Sequence, residues 1–143
     1  MDFEIYSKDL KALSLHPEYA TEIAFGQKDV EFRKWQPSYR GDILICSTQH
    51  PIKKGTIHGH ALCIATLVDC QKLPDSPVYA WILDNIRLIV PVPISGQQRL
   101  WNYNISNGER EPLQIIGTND YLDSLPEEED DAIFNRFWKP LIV

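Results

Sequence analysis

The chain lacks any apolar run approaching the ~20 residues that a membrane-spanning helix needs, which excludes helical insertion into a bilayer as its mode of action. Its opening, MDFEIYSKDL, has neither the basic start nor the apolar stretch of a secretory leader. Nothing there directs export, so a cytoplasmic setting is expected. Cysteine is scarce: Cys46, Cys63 and Cys70 are odd in number, lack CxxC spacing, and each sits in or beside a β-like apolar run. That pattern excludes a paired disulfide framework and a cysteine-built zinc site, and leaves buried, reduced thiols. Basic charge is also in short supply. The net charge is −6 and the pI about 5.1, which argues against the broad basic face of a protein that coats a polyanion.

What is present is enough for one domain over residues 1–143, expected as a monomer. A chain of this size buries about 68–70% of the surface its unfolded form exposes, and a hydrophobic fraction of 43% supplies the material for a core. The charge is unevenly spread. Between Gly26 and His60, Lys28, Arg33, Lys34, Arg40, Lys53 and Lys54 outnumber Asp29, Glu31 and Asp42; between Glu109 and Asp131, Arg110 stands alone against a series of carboxylates ending in EEEDD. The acidic run serves solubility or shields a small basic cleft, and the first role is the commoner one.

Periodicity divides the chain into short strands with an early helix. In HPEYATEIAFG, Pro17 suits a first helical position, Glu18 the positive end of the dipole and Gly26 the left-handed residue past the end. Tyr19 with Ile23 and Ala20 with Ala24 repeat at four-residue spacing, giving a helix over about 17–25 with an inward face. From Val30 the period changes to two: Val30 and Phe32 lie on one side, Glu31, Arg33 and Trp35 on the other. ILICST at 43–48 and the β-branched stretch 57–68 read as strands, joined by the loop QHPIKKG. YAWIL and IRLIV flank Asp84-Asn85, a pair suited to a two-residue hairpin turn. Residues 104–131 read as an acidic loop region. A final helix over 132–143, capped by Asp130 or Asp131, has Ile133 with Phe137 and Phe134 with Trp138 at helical spacing.

Three charges within GQKDVEFRKW call for an explanation. Residues i and i+2 of a strand share a face, so Glu31 and Arg33 form a charge-assisted pair with Trp35 continuing the row. Lys28 either closes the helix carbonyls or points into a cleft between helix and sheet, and spacing leaves both readings open.

The order LSLHPEYATEIAFGQKDVEFRKW, YRGDILICST, GHALCIATLVDC, YAWILDN and PVPISGQQRLW resembles the ASCH family, the activating-signal-cointegrator homology domains of the PUA-like superfamily, over roughly Leu13 to Trp101. Its most specific part is the GxKxxExR pattern of Gly26, Lys28, Glu31 and Arg33, with the YRG turn at Tyr39, Arg40 and Gly41. The resemblance implies an α+β fold, a small PUA-like mixed β-barrel with flanking helices, and a ligand cleft beside the first helix. PUA-like domains are mostly RNA-binding modules, and some relatives hold one modified base in an aromatic pocket. Some ASCH members are hydrolases, including amidohydrolases that deacetylate acetylated cytidine. Their motif reads GxKxxTxR, with lysine and threonine catalytic. Lys28 matches the lysine, whereas Glu31 stands at the threonine position, so the hydroxyl nucleophile is missing.

Two functions follow as expectations. In the first, the domain binds RNA or a nucleotide-like small molecule: a base stacks on Trp35, Tyr39 or Trp81, Glu31 accepts from its amino or imino edge, and Lys28, Arg33 and Arg40 hold phosphate. Gly96 shapes the cleft or permits a tight turn, and Gln98 is a further base-edge candidate. Trp81, which alternates with Ile82, and Trp101 also fit a core role. In the alternative, Lys28 and Glu31 act as proton-transfer groups of a hydrolase acting on a nucleoside amide or RNA phosphodiester. No cofactor is expected, and His58 and His60, lacking zinc-type spacing, read as surface histidines.

Overall fold

Leucine and β-branched runs become strands, and their pairing decides where a ligand can enter. A computed structural model describes residues 2–143. In chain order the elements are β1 (Glu4–Tyr6), β2 (Leu10–Leu15), α1 (Pro17–Ala24), β3 (Val30–Arg33), β4 (Gly41–Ser47), β5 (His60–Lys72), β6 (Tyr79–Pro93), β7 (Leu100–Tyr103), β8 (Leu113–Thr118), α2 (Asn119–Ser124) and α3 (Glu127–Phe137), followed by a 3-10 turn at Lys139–Leu141. One eight-stranded sheet runs β1-β8-β6-β5-β4-β2-β7, with β3 on β6 off this path. β2 and β4 are parallel, from Lys11 opposite Ile43 to Leu15 opposite Ser47; the other pairs are antiparallel. The mixed sheet curls into a half-barrel with three helices, the α+β, PUA-like class read from the sequence.

A parallel pair needs a crossover, and here the crossover carries α1 and β3. α1 ends where Gly26 was expected to end it: Gly26 adopts φ 81°, its N–H reaches the Ile23 carbonyl, and the Gln27 N–H reaches that of Glu22. This is the double closure of a left-handed helix end, and it turns the chain sharply into β3. Ala20, Ile23 and Ala24 of α1 are fully buried against Leu13, Leu15, Ile43 and Ile45. Tyr19, assigned to that inward face by spacing, is instead 41% exposed. On β4 the neighbours Leu44 and Cys46 point the other way, into a second cluster with Ala12, Ile64, Trp101 and Tyr103. Both faces of the strand are covered, which is why its sequence is a continuous apolar run rather than an alternation. Cys46 and Cys63 are buried and Cys70 half-buried, all three as free thiols, and burial pushes each thiol's pKa up.

Three expectations fail for identifiable reasons. Asp84-Asn85 makes no hairpin; β6 runs straight through it. Between the pairs Ile64–Arg87 and Thr66–Asp84 the register shifts, and Asn85 takes φ 47°. The left-handed tolerance of asparagine, which suits a tight turn, here serves a bulge. The segment 104–131 is largely ordered secondary structure. Its LQIIGT run forms β8, which pairs with both β1 and β6, and a polar surrounding had hidden that short apolar run. α3 begins at Glu127, with Pro126 rather than Asp130 or Asp131 at the capping position. Glu127, Glu128, Glu129 and Asp130 occupy its first turn, where the helix dipole favours negative charge. The helix docks through Phe134 and Trp138, whose rings meet Phe25 edge-on at 6.3 and 5.5 Å.

One polar cluster ties the sheet together. Asp42 accepts hydrogen bonds from Tyr6 Oη at 2.8 Å, Thr66 Oγ1 at 2.9 Å and Arg87 Nη2 at 2.8 Å, joining β1, β4, β5 and β6. Burial pushes the Asp42 carboxyl up, but the bonds from Arg87, Tyr6 and Thr66 outweigh it and hold the group below its ordinary range. A depressed carboxylate contributes stability that is present above the unfolded pKa, near 3.9, and lost as pH falls through the folded value. Asp42→Asn should therefore cost about 1–3 kcal/mol at pH 7, the penalty for a partly buried hydrogen-bonded charge left without its partner. In thermal melts the gap between wild type and Asp42→Asn should narrow as pH drops below about 4; a gap constant with pH excludes this role.

Candidate functional site

β3 alternates as its sequence requires, but with the faces reversed from the usual order. Glu31 is only 5% exposed and Phe32 51% exposed. The register sets Glu31 opposite Trp81 and Arg33 opposite Tyr79 on β6, so the charged face turns inward.

A buried carboxylate is costly unless it is paired and hydrogen-bonded. Glu31 Oε1 meets both conditions: it accepts from the Phe32 backbone N–H at 3.0 Å and from Lys28 Nζ at 3.2 Å. Oε2 lies 3.9 Å from Arg33 Nη2, an ionic contact too long for a hydrogen bond. That oxygen retains acceptor capacity. Arg33 Nη2 donates instead to the Ser14 carbonyl at 3.3 Å, which fixes the guanidinium against β2. Lys28 is steadied from above, its ammonium 4.3 Å from the centre of the Tyr19 ring. The Lys28 ammonium is thus engaged by Glu31 and Tyr19.

Glu31, Arg33 and Tyr19 border a cavity of about 850 Å³, within the roughly 300–1,000 Å³ typical of small-molecule sites. Of the residues singled out by sequence, Glu31, Arg33, Trp35, Gly96 and Gln98 lie in its wall; Lys28 stands behind the wall, touching two of its residues, Glu31 and Tyr19. Tyr39 and Arg40 do not belong to it. The Tyr39 hydroxyl donates to the Asp42 carbonyl at 2.6 Å, and Arg40 Nη1 donates to the Pro37 and Tyr39 carbonyls, both at 2.9 Å. The YRG turn directs these polar groups to nearby backbone, and neither residue lines the cavity. Trp81 is core, fully buried, donating from Nε1 to the Trp35 carbonyl at 3.1 Å. Trp101 is core as well, with Nε1 donating to Ser14 Oγ at 3.3 Å. Gly96 is needed for approach: a Cβ there would overlap Ser14 Oγ, so only glycine lets this loop lie on β2.

Sequence reasoning missed Ser14, His16, Tyr19, Thr48, Gln49 and Arg99, which also line the cavity. Most come from the ends of β2 and β4, brought together by a parallel pairing that no local pattern announces. Arg99 directly follows Gln98, but only the folded loop reveals its position over Trp35. Among the described residues, no group of three or more His, Cys, Asp or Glu could hold a metal ion, and no helix is long and apolar enough to cross a membrane.

The curled α+β half-barrel is consistent with the small PUA-like ASCH fold. The ASCH domain profile matches residues 13–92, and the chain belongs to that family. Among solved structures, ASCH from Zymomonas mobilis is similar at 18% identity and a TM-score of 0.45, covering 88% of this chain and 94% of that one. A serine-to-alanine mutant of that same Zymomonas protein is similar at 18% identity and a TM-score of 0.45, covering 87% and 94%. No curated protein matches the chain.

Glu31 should matter to stability as well as to any ligand. Glu31→Ala leaves the Phe32 N–H and the Lys28 ammonium without their acceptor, an expected loss of about 1–3 kcal/mol in urea denaturation. Glu31→Gln, which keeps an acceptor oxygen, should recover part of it. Equal stability of all three proteins would mean that solvent already satisfies these groups.

Proposed function

We propose that the domain binds RNA or a nucleotide-like ligand and receives one base, plain or modified, in the cavity beside β3. The observation that carries this reading is the Glu31 carboxylate: 5% exposed, held on one oxygen by Lys28 and the Phe32 N–H, and without a hydrogen bond on the other. A carboxylate is an acceptor only, so its complement is an N–H donor such as the amino or imino edge of a base. Trp35 supplies an aromatic surface within the same wall, and stacking on it is sequence-tolerant because every base has a π-face. Lys28 and Arg33 offset the Glu31 charge and leave a surplus of positive potential for a phosphate. Gln98 offers an amide to a second base edge.

The charge balance favours binding over hydrolysis. Lys28 and Glu31 stand in contact as an ion pair, an arrangement suited to a fixed electrostatic pattern rather than to the exchange of a proton. The Thr48 hydroxyl, in the cavity wall, donates to the His50 carbonyl at 2.7 Å and is already engaged.

Titration with short single-stranded RNA, followed by filter binding across a salt series, tests the reading. Affinity should fall as salt rises, with a slope of about −0.7 per phosphate engaged. Trp35→Ala should weaken binding by about 1–3 kcal/mol, roughly 5- to 150-fold, and Glu31→Gln should change which base is preferred. Binding indifferent to both substitutions excludes the cavity as the site. Release of acetate from acetylcytidine, lost in Lys28→Ala, would favour the hydrolase alternative instead.

A further inference from the structure

Trp35 already has a partner on its cavity side. The Arg99 guanidinium carbon lies 4.6 Å from the centre of the Trp35 ring, and both residues line the cavity. On the core side the ring meets fully buried Trp81 at 4.8 Å and 87°. The aromatic surface that a base would use is thus occupied by the protein itself. Among the described residues Arg99 forms no salt bridge, unlike Lys28 and Arg33 in the same site. Its charge is free to be used elsewhere.

The segment that carries Arg99 is built like a strap. It is fastened at one end by Ile94, whose N–H reaches the Gly59 carbonyl at 3.0 Å, and at the other by Leu100, paired with Leu13. Gly96 rests on Ser14 between them. Residues 95–99 are all exposed and, among the described residues, make no backbone hydrogen bonds outside the strands. Arg99 itself has φ 59°, a left-handed conformation that a residue with a Cβ adopts only at a cost. Such residues gather at ligand clamps and switch segments.

We propose that Arg99 selects phosphorylated ligands by exchange: in the free protein it covers Trp35, and when a base enters it gives up that position and binds the ligand's phosphate. The inference rests on the base-binding reading of the cavity. An exposed cation–π contact is weak, whereas a guanidinium–phosphate contact is charge-assisted and bidentate. A nucleoside must displace Arg99 and gives it nothing in return. A nucleotide displaces the same group and supplies a better partner. The discrimination therefore comes from one side chain with two positions rather than from a fixed phosphate pocket.

The test is a titration of tryptophan emission in wild type, Arg99→Ala and Arg99→Lys with the four common ribonucleosides and their 5′-monophosphates. In Arg99→Ala, nucleosides should bind about two- to fivefold tighter, because the competing occupant is gone. The preference for monophosphate over nucleoside should fall about tenfold. Arg99→Lys should retain part of that preference, since it keeps the charge but not the planar fork. Emission of the free protein should differ between wild type and Arg99→Ala, reporting the stacked contact without any ligand. Equal weakening of nucleosides and monophosphates in Arg99→Ala would make Arg99 a fixed part of the wall and overturn the exchange; unchanged affinities would overturn it too. A Trp35→Ala variant separates the two levels. If Trp35→Ala abolishes nucleoside binding while Arg99→Ala leaves the monophosphate preference intact, the exchange alone is wrong. If Trp35→Ala has no effect, or no probe binds to any form, the base-binding reading falls and the exchange falls with it.

Discussion

A single carboxylate placed where water is scarce constrains the rest of the site. Glu31 is turned inward by the register of β3 on β6, and a charge in that position has to be met at once by donors. The nearest available are its own neighbour's backbone N–H, the lysine three residues earlier and the arginine two residues later. That requirement accounts for the crowding of charge in GQKDVEFRKW. It also accounts for the sharp helix end at Gly26: the chain must reverse direction within a few residues so that Lys28 lies beside the carboxylate instead of trailing into solvent.

The scaffold supports this arrangement from two directions. β2, parallel to β4 and covered by α1, offers its Ser14 carbonyl to Arg33 and its Ser14 hydroxyl to Trp101, while leaving just enough room for Gly96. One residue thereby anchors the guanidinium, the second core cluster and the strap. Farther into the sheet, β6, paired with β5 on one side, holds β3 at one end and β8 at the other on its second side, and the bulge at Asn85 falls between the two. The network around Asp42 lies in the same sheet and joins four of its strands, β1, β4, β5 and β6.

How much of this was legible in the sequence depends on the range of the interaction concerned. Local signals read well: Pro17 and Gly26 bracket α1, the two-residue period marks β3, and the cluster of Lys28, Glu31 and Arg33 follows from spacing of three and two. Signals that serve two structures read less well. Asp84-Asn85 has the chemistry of a turn and of a bulge alike, and only its pairing partner on β5 decides between them. YRG looked like part of a binding surface because tyrosine and arginine are common ligands for bases and phosphates, yet their hydrogen bonds go to the adjacent backbone. Contacts between distant segments were not legible at all. Ser14 and Arg99 carry no mark in sequence that distinguishes them from ordinary polar residues, because their roles arise from the parallel β2–β4 pairing and the lie of the loop after Ile94.

The distribution of charge narrows what such a site can hold. The acidic residues 127–130 are accounted for by the first turn of α3, where the helix dipole favours them, and none of them lines the cavity. At physiological ionic strength charges are screened over about 8 Å, so acidity elsewhere on the surface does not cancel a local surplus of cations within the cleft. It does weaken attraction for a long polyanion, whose backbone would run beyond the cleft across a surface of net negative charge. On the base-binding proposal, recognition then depends on what enters the cavity rather than on accumulated backbone contacts. Under that proposal the walls call for three complements, an N–H donor for Glu31, a flat ring for Trp35 and an anion for a nearby guanidinium, and a single nucleotide unit combines all three within one small volume.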